Sequence, residues 1–394
     1  MLNRGMEILS PDGGRFGILK RLLAWCCDDR ISAILRRPGM PDQPFEALMP
    51  VKPMDISKIM NSAAMRVATS NPFPEVRGIR SDCPALHIHQ LASPLRRGIK
   101  RLLFGAPKWR LAQLLSDPLA TGPAQVQELP CDFPLEMADP FLIQKDGTDW
   151  VFFESIKSSG MGELVVSQLV DDSVTKPSRS ILDLPFHLSW PNVFEHGGKT
   201  YMVPETGSAN EVGLWVCDEF PMKWSKVRTL VEGAHFHDGT IVRHGGRWWL
   251  FVSVGGSYYG DHSAELRIYH SDDLLTSPFV PHPRNPISLS IEGARPAGRF
   301  FVRDNVLYRP AQDGRDGYGK GVIVFRVDRL DESNFAETPV SHILAPTGMQ
   351  GIHTLNQISR NRWIVDIRRS DRRLPAVVPF AAWSMILPQL ECLA

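Results

Sequence analysis

The sequence predicts an all-β chain, a five-bladed β-propeller with an N-terminal α/β extension. The first observation is a segment that recurs at a nearly constant spacing, at residues 139–154, 190–205 and 238–253. Each copy is 16 residues long, and the copies begin 51 and then 48 residues apart. The second observation is a pair of weaker copies that open at Arg295 and His353. A repeat of about 50 residues with turn and strand content is typical of a blade array, in which radial repetition protects sheet edges.

Each of the three strong copies carries a turn pair between two apolar runs. The pairs are Asp-Gly at 146–147, Gly-Gly at 197–198 and Gly-Gly at 245–246. Two apolar runs joined by such a pair predict a tight hairpin. Each copy therefore supplies two consecutive strands of one blade.

The composition is that of a soluble globular protein. Of 394 residues, 43% are apolar and 22% are charged, and the formal net charge is +1. This balance gives no overall attraction to nucleic acid, so we expect no nucleic-acid partner. The six cysteines are scattered, which is typical of a reducing compartment. The start of the chain lacks the apolar run of a signal peptide, and no stretch of 18 apolar residues could span a bilayer. We therefore expect a cytoplasmic protein.

The chain divides into three predicted parts. Residues 1–125 form the α/β extension, residues 126–370 the propeller, and residues 371–394 an apolar, proline-rich cover segment. Within the extension, apolar residues from Phe16 to Leu35 recur at helical spacing, which predicts a helix there. The Arg-Arg-Pro-Gly sequence that follows would end this helix.

The segment 95–115 interleaves basic and apolar residues. One interpretation is a solvated helix face beside the core, which is the commoner origin of such a pattern. The other is a surface that touches anionic lipid headgroups or substrate phosphates. This second interpretation makes the segment a candidate for peripheral membrane contact.

The chemistry of a propeller is expected where the innermost strands open into the central channel. The aligned openings of the five copies are Asp139, Trp190, Asp238, Arg295 and His353. Five equivalent positions around one axis would bring together two carboxylates, an indole, a guanidinium and an imidazole. Glycosyl chemistry needs such a set, because one carboxyl group moves a proton to or from an oxygen while another stabilises developing charge or activates the acceptor.

Strand alternation adds a second layer of polar residues near these openings. Glu154 and Glu205 occupy equal positions in the first two copies. The predicted catalytic residues are Asp139, Glu205 and Asp238. The predicted substrate-binding residues are Glu154, His187, Trp190, Arg295, Gln312, Asp313, Tyr318 and His353.

Several of these residues also have a purely structural interpretation. Asp139 precedes a proline and Asp238 precedes a glycine, and both pairs are common in turns. Arg295 could pair with Glu292, three residues earlier. His353 could be a buried histidine whose hydrogen bonds are satisfied.

The sequence predicts no cofactor and no required transition metal. It has no phosphate-binding loop around its Gly-Gly-Ser stretch at 255–257, no G-x-S-x-G nucleophile motif and no calcium-binding ladder at its Asp-Gly pairs. Its histidines and cysteines also lack the spacing of metal ligands. A structural calcium ion held by axial carboxylates stays open.

Two sets of motifs resemble known propellers. Ala-Asp-Pro-Phe at 138–141, with Phe-Glu at 153–154, resembles the first-blade motif of the arabinanase/levansucrase/invertase-like five-bladed propellers, a group that includes glycosidases of families 43, 32, 62 and 68. A longer set is similar to the propeller domain found N-terminal in glucosamine inositolphosphorylceramide transferases and in bacterial relatives near polysaccharide-synthesis genes. These motifs lie at residues 187–191, 202–206, 238–240, 294–298, 312–313, 318–319 and 351–354.

The resemblance covers about residues 105–370 and implies roles for particular residues. Asp139 corresponds to the glycosidases' first-blade catalytic aspartate, the base or nucleophile. The second and third openings depart from the glycosidases, which usually carry Asp-Pro and Glu there, whereas this chain has Trp190 and Asp238. Glu205 could supply the missing carboxylate from its strand end. The resemblance further implies a sugar or nucleotide-sugar substrate and a glycan or glycolipid acceptor.

We therefore expect a carbohydrate-active protein, with glycosyl transfer in polysaccharide or glycolipid biosynthesis as the favoured activity. One alternative is an intracellular glycoside hydrolase similar to family 43. The other is a non-catalytic glycan-binding propeller that works with a partner transferase.

Overall fold

The computed structural model describes most of the predicted propeller and part of the N-terminal extension. The described residues are 7–9, 30–36, 43–48, 107–131, 133, 136–255, 265–288, 290, 292–314, 318–359 and 362–370. Among them the only helix is a short 3-10 turn at Gly207–Ala209, and no helix of these residues could cross a membrane. The predicted cover segment at 371–394 lies outside the described residues.

Three strands in the N-terminal extension form an antiparallel sheet of their own. They are β1 (Glu7–Leu9), β2 (Arg30–Arg36) and β3 (Gln43–Leu48). Strand β2 lies in the middle and pairs with both of the others.

The helix predicted from Phe16 to Leu35 is wrong over its final residues, which lie in β2. Apolar residues at positions 31, 33 and 35 alternate with their neighbours, and this spacing of two is that of a strand. The remainder of the predicted helix, residues 16–29, lies outside the described part of the chain.

The propeller consists of five sheets. Three strands precede its first blade, β4 (Lys108–Leu114), β5 (Gly122–Pro123) and β6 (Val126–Glu128). Blade 1 contains β7 (Glu136–Lys145), β8 (Thr148–Ile156), β9 (Gly162–Val170) and β10 (Ser173–Val174). Blade 2 contains β11 (Ser189–His196), β12 (Lys199–Glu205), β13 (Glu211–Glu219) and β14 (Lys223–Glu232). Blade 3 contains β15 (His235–His244), β16 (Arg247–Gly255), β17 (Leu266–Ser271) and β18 (Val280–Pro281).

The last two blades include strands from before blade 1. Blade 4 contains β19 (Glu292–Pro296), β20 (Phe301–Arg303), β21 (Val306–Asp313), β22 (Gly321–Leu330) and β23 (Phe335–Leu344), with β5 parallel to β23 at its edge. Blade 5 contains β24 (Gly351–Ser359) and β25 (Arg362–Arg369), followed in the sheet by β4 and β6.

Strand β4 closes the ring. It pairs antiparallel with β25 from Trp363 opposite Leu114 to Arg369 opposite Lys108. Backbone hydrogen bonds thus join the two ends of the propeller, which removes the open edge that a linear array would leave. Strand β4 thus belongs to a propeller sheet although it precedes residue 126. The repeat did not indicate this because a closing strand carries no opening loop or hairpin of its own.

The solvated helix predicted for residues 95–115 is also wrong over β4. Trp109, Leu111 and Leu114 are buried there and alternate with half-buried polar residues, as a strand inside a blade requires. Residues 95–106 lie outside the described residues, so membrane contact by this segment stays a prediction.

A break in strand register recurs in the first strand of every blade. Each break falls where the repeat predicts an opening, at residues 138–141, 189–192, 237–240, 292–296 and 352–355. Such a bulge bends the strand and redirects the side chains beside it. The repeat in the sequence is therefore a repeat of this bulge around the axis.

Buried apolar clusters fill the boundaries between blades. One cluster joins each neighbouring pair, including blade 5 to blade 1. Between blades 1 and 2, Phe141 and Trp190 meet edge to face with ring centroids 5.1 Å apart. Between blades 5 and 1, Leu111 and Met137 lie in one cluster without solvent exposure. Burial of this apolar surface is the main source of the ring's stability.

The side chain of Arg299 spans the central channel. It follows β19 of blade 4, yet its guanidinium donates hydrogen bonds to the carbonyl oxygens of Leu142 in blade 1 and Val193 in blade 2. Its backbone N–H donates to Asn356 Oδ1 of blade 5 at 2.7 Å. Blades 1 and 2 are not neighbours of blade 4, so these contacts cross the axis. Burial lowers the pKa of Arg299 to about 10, which leaves it positively charged at neutral pH.

Replacing Arg299 with Met should destabilise the protein by roughly 2–4 kcal/mol, because the carbonyl oxygens of Leu142 and Val193 lose buried hydrogen-bond donors. Urea unfolding gives this free energy. The matched control is Arg303→Met in the same blade, where an exposed pair with Asp117 is lost and a change below about 1 kcal/mol is expected. Equal losses in the two variants would contradict a structural role for the spanning guanidinium.

Candidate functional site

Three of the five opening residues have a left-handed backbone. The φ angle is 52° at Asp139, 52° at Trp190 and 53° at Asp238. This region costs on the order of 1 kcal/mol for a residue with a Cβ atom, so surrounding contacts must hold it. Its recurrence in three blades shows that the repeat builds the same loop geometry three times around the axis.

Asp139, His353 and Asp366 form a buried hydrogen-bonded chain that joins blade 5 to blade 1. His353 Nε2 lies 3.1 Å from Asp139 Oδ1, and its Nδ1 lies 2.8 Å from Asp366 Oδ1. Asp366 also accepts the backbone N–H groups of Asp139 at 3.0 Å, His353 at 3.1 Å and Thr354 at 3.0 Å. The second oxygen of Asp139 accepts the N–H of Trp190 at 3.3 Å.

The surroundings of His353 favour an imidazolium. Both of its nitrogens face carboxylate oxygens, and only the charged ring can donate from both. Burial acts to lower the pKa of His353, but the Asp366 and Asp139 carboxylates outweigh it and raise that pKa to about 10. Burial likewise opposes ionisation of the two acids. The imidazolium nevertheless holds the pKa of Asp366 below its ordinary value, whereas the pKa of Asp139 stays raised by burial.

The same trio contains the described residues that could hold a metal ion. One ligand atom from each of Asp139, His353 and Asp366 lies within 4.8 Å of the others. An imidazolium has no lone pair to offer, so His353 would have to lose a ring proton before it could bind a cation. In the geometry present, the trio is an ion-paired chain.

A second ion-paired group connects blades 2, 3 and 4. Arg295 donates from Nε to Asp238 Oδ2 at 2.5 Å and from Nη2 to Oδ1 at 3.2 Å, and Gln312 donates to Oδ2 at 3.0 Å. The backbone N–H of Asp238 donates to Glu205 Oε2 at 3.1 Å. Burial raises the pKa of Asp238 to about 6 despite the nearby guanidinium. Arg295 thus pairs with Asp238, whereas the structural interpretation of the sequence had suggested Glu292 as its partner.

Glu154 is a buried acid at the end of β8. Burial first, and then the negative charges of Asp139 and Glu205, raise the pKa of Glu154 well above its usual range. His187 Nε2 lies 3.3 Å from Glu154 Oε1, while the N–H of Gly162 donates to His187 Nδ1 at 2.9 Å. Because Nδ1 accepts, the ring proton sits on Nε2 and is donated to Glu154. The side chain of His187 is 42% exposed, so Glu154 lies one residue from solvent.

Tyr318 links the two ion-paired groups. Its ring lies 5.2 Å from the ring of His353 and 5.2 Å from the guanidinium carbon of Arg295. Tyr318 is 48% exposed, whereas Trp109 is buried, with its ring centroid 4.2 Å from that of His353 and 6.4 Å from that of Tyr318. Tyr318 thus gives the two ion-paired groups an aromatic neighbour that reaches solvent.

Most of the predicted site residues therefore converge. The members of this group, the axial pocket, are Asp139, Glu154, His187, Glu205, Asp238, Arg295, Gln312, Tyr318 and His353. Which of them are catalytic stays a prediction.

The side chains of Trp190 and Asp313 do not join the contacts that define the axial pocket, and their role as substrate contacts stays a prediction. Trp190 has no exposed surface, and its indole N–H donates to the carbonyl oxygen of Gly239 at 3.2 Å, so its side chain belongs to the core. Asp313 follows Gln312 in β21, and consecutive strand residues face opposite sides. Its carboxylate lies 2.6 Å from His342 Nε2 instead.

The sequence reasoning missed Asp366, Trp109 and His237. Asp366 stands inside an apolar run of β25, where an unpaired charge would be costly, so the sequence did carry a signal for a buried pair there. Trp109 fell in the segment interpreted as a helix. His237 directly precedes the opening residue Asp238 and matches no motif of its own.

Comparisons with known proteins assign the chain to a family. A family model described as "Glucosamine inositolphosphorylceramide transferase 1, N-terminal" matches residues 112–369. The chain belongs to this family. Glucosamine inositolphosphorylceramide transferase 1 of Oryza sativa subsp. japonica is 35% identical over 209 residues, which cover 52% of this chain and 28% of that protein. The Arabidopsis thaliana protein of the same name is 34% identical over 217 residues, with 54% and 28% covered. The match thus spans little more than a quarter of the relatives' length.

Solved structures to which the chain is similar include glycosidases. A β-xylosidase, RS223, has a TM-score of 0.45 and 14% identity, with 61% of this chain and 93% of that chain covered. The GH43_1 enzyme from Xanthomonas citri has a TM-score of 0.44 and 14% identity, with 65% and 90% covered.

Replacing His353 with Gln should destabilise the protein most below neutral pH. The folded-state pKa of His353 is raised from 6.5 to about 10. Its protonation therefore contributes stability in full below pH 6.5, and that contribution is lost as the pH rises through 10. The difference in unfolding free energy between wild type and variant, from urea titrations across this range, should shrink with rising pH. His244→Gln, at an exposed site in blade 3, should show no such trend. A His353→Gln difference that is flat or grows with pH would rule out the imidazolium.

Proposed function

We propose that this propeller transfers a glycosyl group to a hydroxyl acceptor on a glycan or glycolipid, using the axial pocket. The observation that carries the proposal is a pair of buried carboxyl groups in different electrostatic surroundings. Glu154 favours its protonated form, whereas Asp139 is ion-paired with the His353 imidazolium. Environments that act differently on the pKa values of two neighbouring acids are typical of a general acid and a general base.

In the proposed reaction, Glu154 is the acid and Asp139 is the base. Glu154 gives its proton to the leaving oxygen as the bond from that oxygen to the anomeric carbon breaks. Asp139 takes the proton of the acceptor hydroxyl as its oxygen bonds to the same carbon. One proton leaves Glu154 and one arrives at Asp139, so solvent exchange must restore both before the next turnover. Water in place of the acceptor would make the reaction a hydrolysis.

Asp238 and Glu205 take supporting roles in this scheme. Asp238 is bound to Arg295 through two hydrogen bonds and is occupied by them. The charge of Glu205 contributes to the raised pKa of Glu154. We therefore assign Glu205 and Asp238 to tuning and positioning rather than to the reacting bonds.

The substrate class is supported by two features. Tyr318 offers an exposed ring above the carboxyl groups, where a sugar ring can stack. The relatives named above are transferases whose name specifies glucosamine and inositolphosphorylceramide, a sugar and a glycolipid. A sugar or nucleotide-sugar donor and a glycan or glycolipid acceptor fit both features.

A second candidate function is glycan binding without catalysis. It is favoured by the coverage of the relatives, because the matched part is N-terminal and makes up only 28% of each protein. Their named activity could lie in the remaining part. The axial pocket would then hold a glycan for a partner transferase.

A substrate panel distinguishes these functions. The protein is incubated with nucleotide sugars and with aryl glycosides, each with and without glycan acceptors, and products are followed by mass spectrometry. Acceptor-dependent product supports transfer, and release of the aryl alcohol without an acceptor supports hydrolysis. Saturable binding without turnover supports the glycan-binding function.

Replacing Asp139 with Asn should lower turnover per folded molecule on the order of a hundredfold or more, because the amide cannot accept the acceptor's proton. The matched control is Asp146→Asn in the same blade, at a hairpin turn with a φ angle of 51°. Both positions share a left-handed backbone, so the control reproduces the chemical change without the site.

Unfolding curves accompany the assay, because Asp139→Asn also weakens the pair with His353 and should cost about 1–3 kcal/mol. Wild-type turnover in folded Asp139→Asn would reject the base and leave glycan binding as the better function.

A further inference from the structure

A chain of two histidines leads away from the axial pocket at Glu205. His237 Nδ1 lies 2.9 Å from Glu205 Oε1, and His237 Nε2 lies 3.0 Å from His235 Nδ1. His237 is buried, whereas His235 is half-buried at the start of β15. His235 stands beside the 3-10 turn, where a Cβ atom on Gly207 would lie 3.2 Å from its Nε2. The chain thus runs from the pocket toward the side of blade 3.

The direction of these hydrogen bonds follows from the groups at the inner end. Glu205 accepts the backbone N–H of Asp238 at Oε2 and faces Arg295 Nη2 at 3.8 Å, and both contacts favour a carboxylate. A carboxylate only accepts, so His237 must donate to it from Nδ1.

His237 carries a single ring proton. Burial and the positive charge of Arg295 lower its pKa to about 3, with smaller contributions from His235 and His187, and the charge of Asp238 opposes them only in part. Its Nε2 therefore accepts, and the donor is His235 Nδ1.

We propose that His235 and His237 form a proton path to Glu205, with both histidines donating from Nδ1 toward the axis. In one passage, His235 takes up a proton at Nε2 and passes its Nδ1 proton to His237 Nε2. His237 then passes its Nδ1 proton to Glu205 Oε1. One proton enters and one arrives, both rings exchange tautomers, and the reverse passage restores them.

The proton path affects Glu154, which is the acid in the proposed function. The role given to the path therefore rests on that function. A proton on Glu205 removes one of the negative charges that raise the pKa of Glu154. Glu154 then releases its own proton more readily. His235 and His237 are accordingly positioning residues that act through Glu205.

The tautomers can be read without a substrate, from long-range proton–nitrogen correlation spectra of the full chain with isotope-labelled histidine. His235→Gln and His237→Gln assign the signals. Wild-type protein at neutral pH should show both rings protonated at Nδ1.

Glu205→Gln is the decisive variant. The Asp238 N–H still needs an acceptor, so the amide oxygen takes that position and the amide NH2 group faces His237 Nδ1. Nδ1 must then accept, and the proton of His237 moves to Nε2. His235 Nδ1 must accept from it in turn, so both rings should switch to the Nε2 tautomer together. Glu219→Gln, which changes an exposed pair with Lys223 in blade 2, should leave both rings unchanged.

An imidazolium or Nε2 tautomer at His237 in the wild type would overturn the path, as would a His235 ring that keeps its tautomer in Glu205→Gln.

On a substrate found by the panel, His237→Gln should lower kcat about tenfold or more with KM unchanged, because its amide fills both hydrogen-bond positions but does not relay a proton. An unchanged kcat would also reject the path. A panel without turnover contradicts the proposed function alone, since the tautomers are read independently.

Discussion

The imidazolium of His353 is the interaction on which the axial pocket depends. It lies between Asp139 and Asp366, which are both buried, and two carboxylates at that depth would be costly without a positive charge between them. Asp366 sits on β25, the strand that β4 pairs with to close the ring. The same carboxylate accepts the backbone N–H of Asp139 in blade 1. The same hydrogen-bonded group therefore connects the closing blade to blade 1 and holds the proposed base, Asp139, in place.

A second ion pair, between Arg295 and Asp238, lies on the other side of the pocket. Arg295 neutralises Asp238 on the side of blades 3 and 4, as His353 neutralises Asp139 on the side of blades 5 and 1. Glu154 instead lies beside His187, and burial together with the charges of Asp139 and Glu205 raises its pKa against the opposing charge of His353. The raised pKa of Glu154 thus follows from its burial among acids that each have a cation of their own. Arg299 links blade 4 to blades 1 and 2 across the channel.

The sequence was informative where a local structure had to recur. The bulge repeats in each blade and the turn pair in the three strong copies, so the opening positions, including Asp139, Asp238 and Arg295, were predictable from spacing. It was uninformative where a contact depends on which strands become neighbours in space. The closing strand β4 carries no repeat, and Trp190 occupies an opening position while its side chain enters the core. The pairing of His353 with Asp366 also required the structure, because strand alternation does not show which buried acid faces the ring.

The most direct measurement of the central claim is the protonation state of Glu154 in the ligand-free protein. Infrared difference spectroscopy between wild type and Glu154→Gln at neutral pH separates the stretch of a buried carboxylic acid from those of carboxylates. The wild type should show a protonated-acid band that disappears in Glu154→Gln, since burial and the charges of Asp139 and Glu205 disfavour the anion. A spectrum in which Glu154→Gln removes only carboxylate bands would show that Glu154 is ionised, and the division into acid and base would fail.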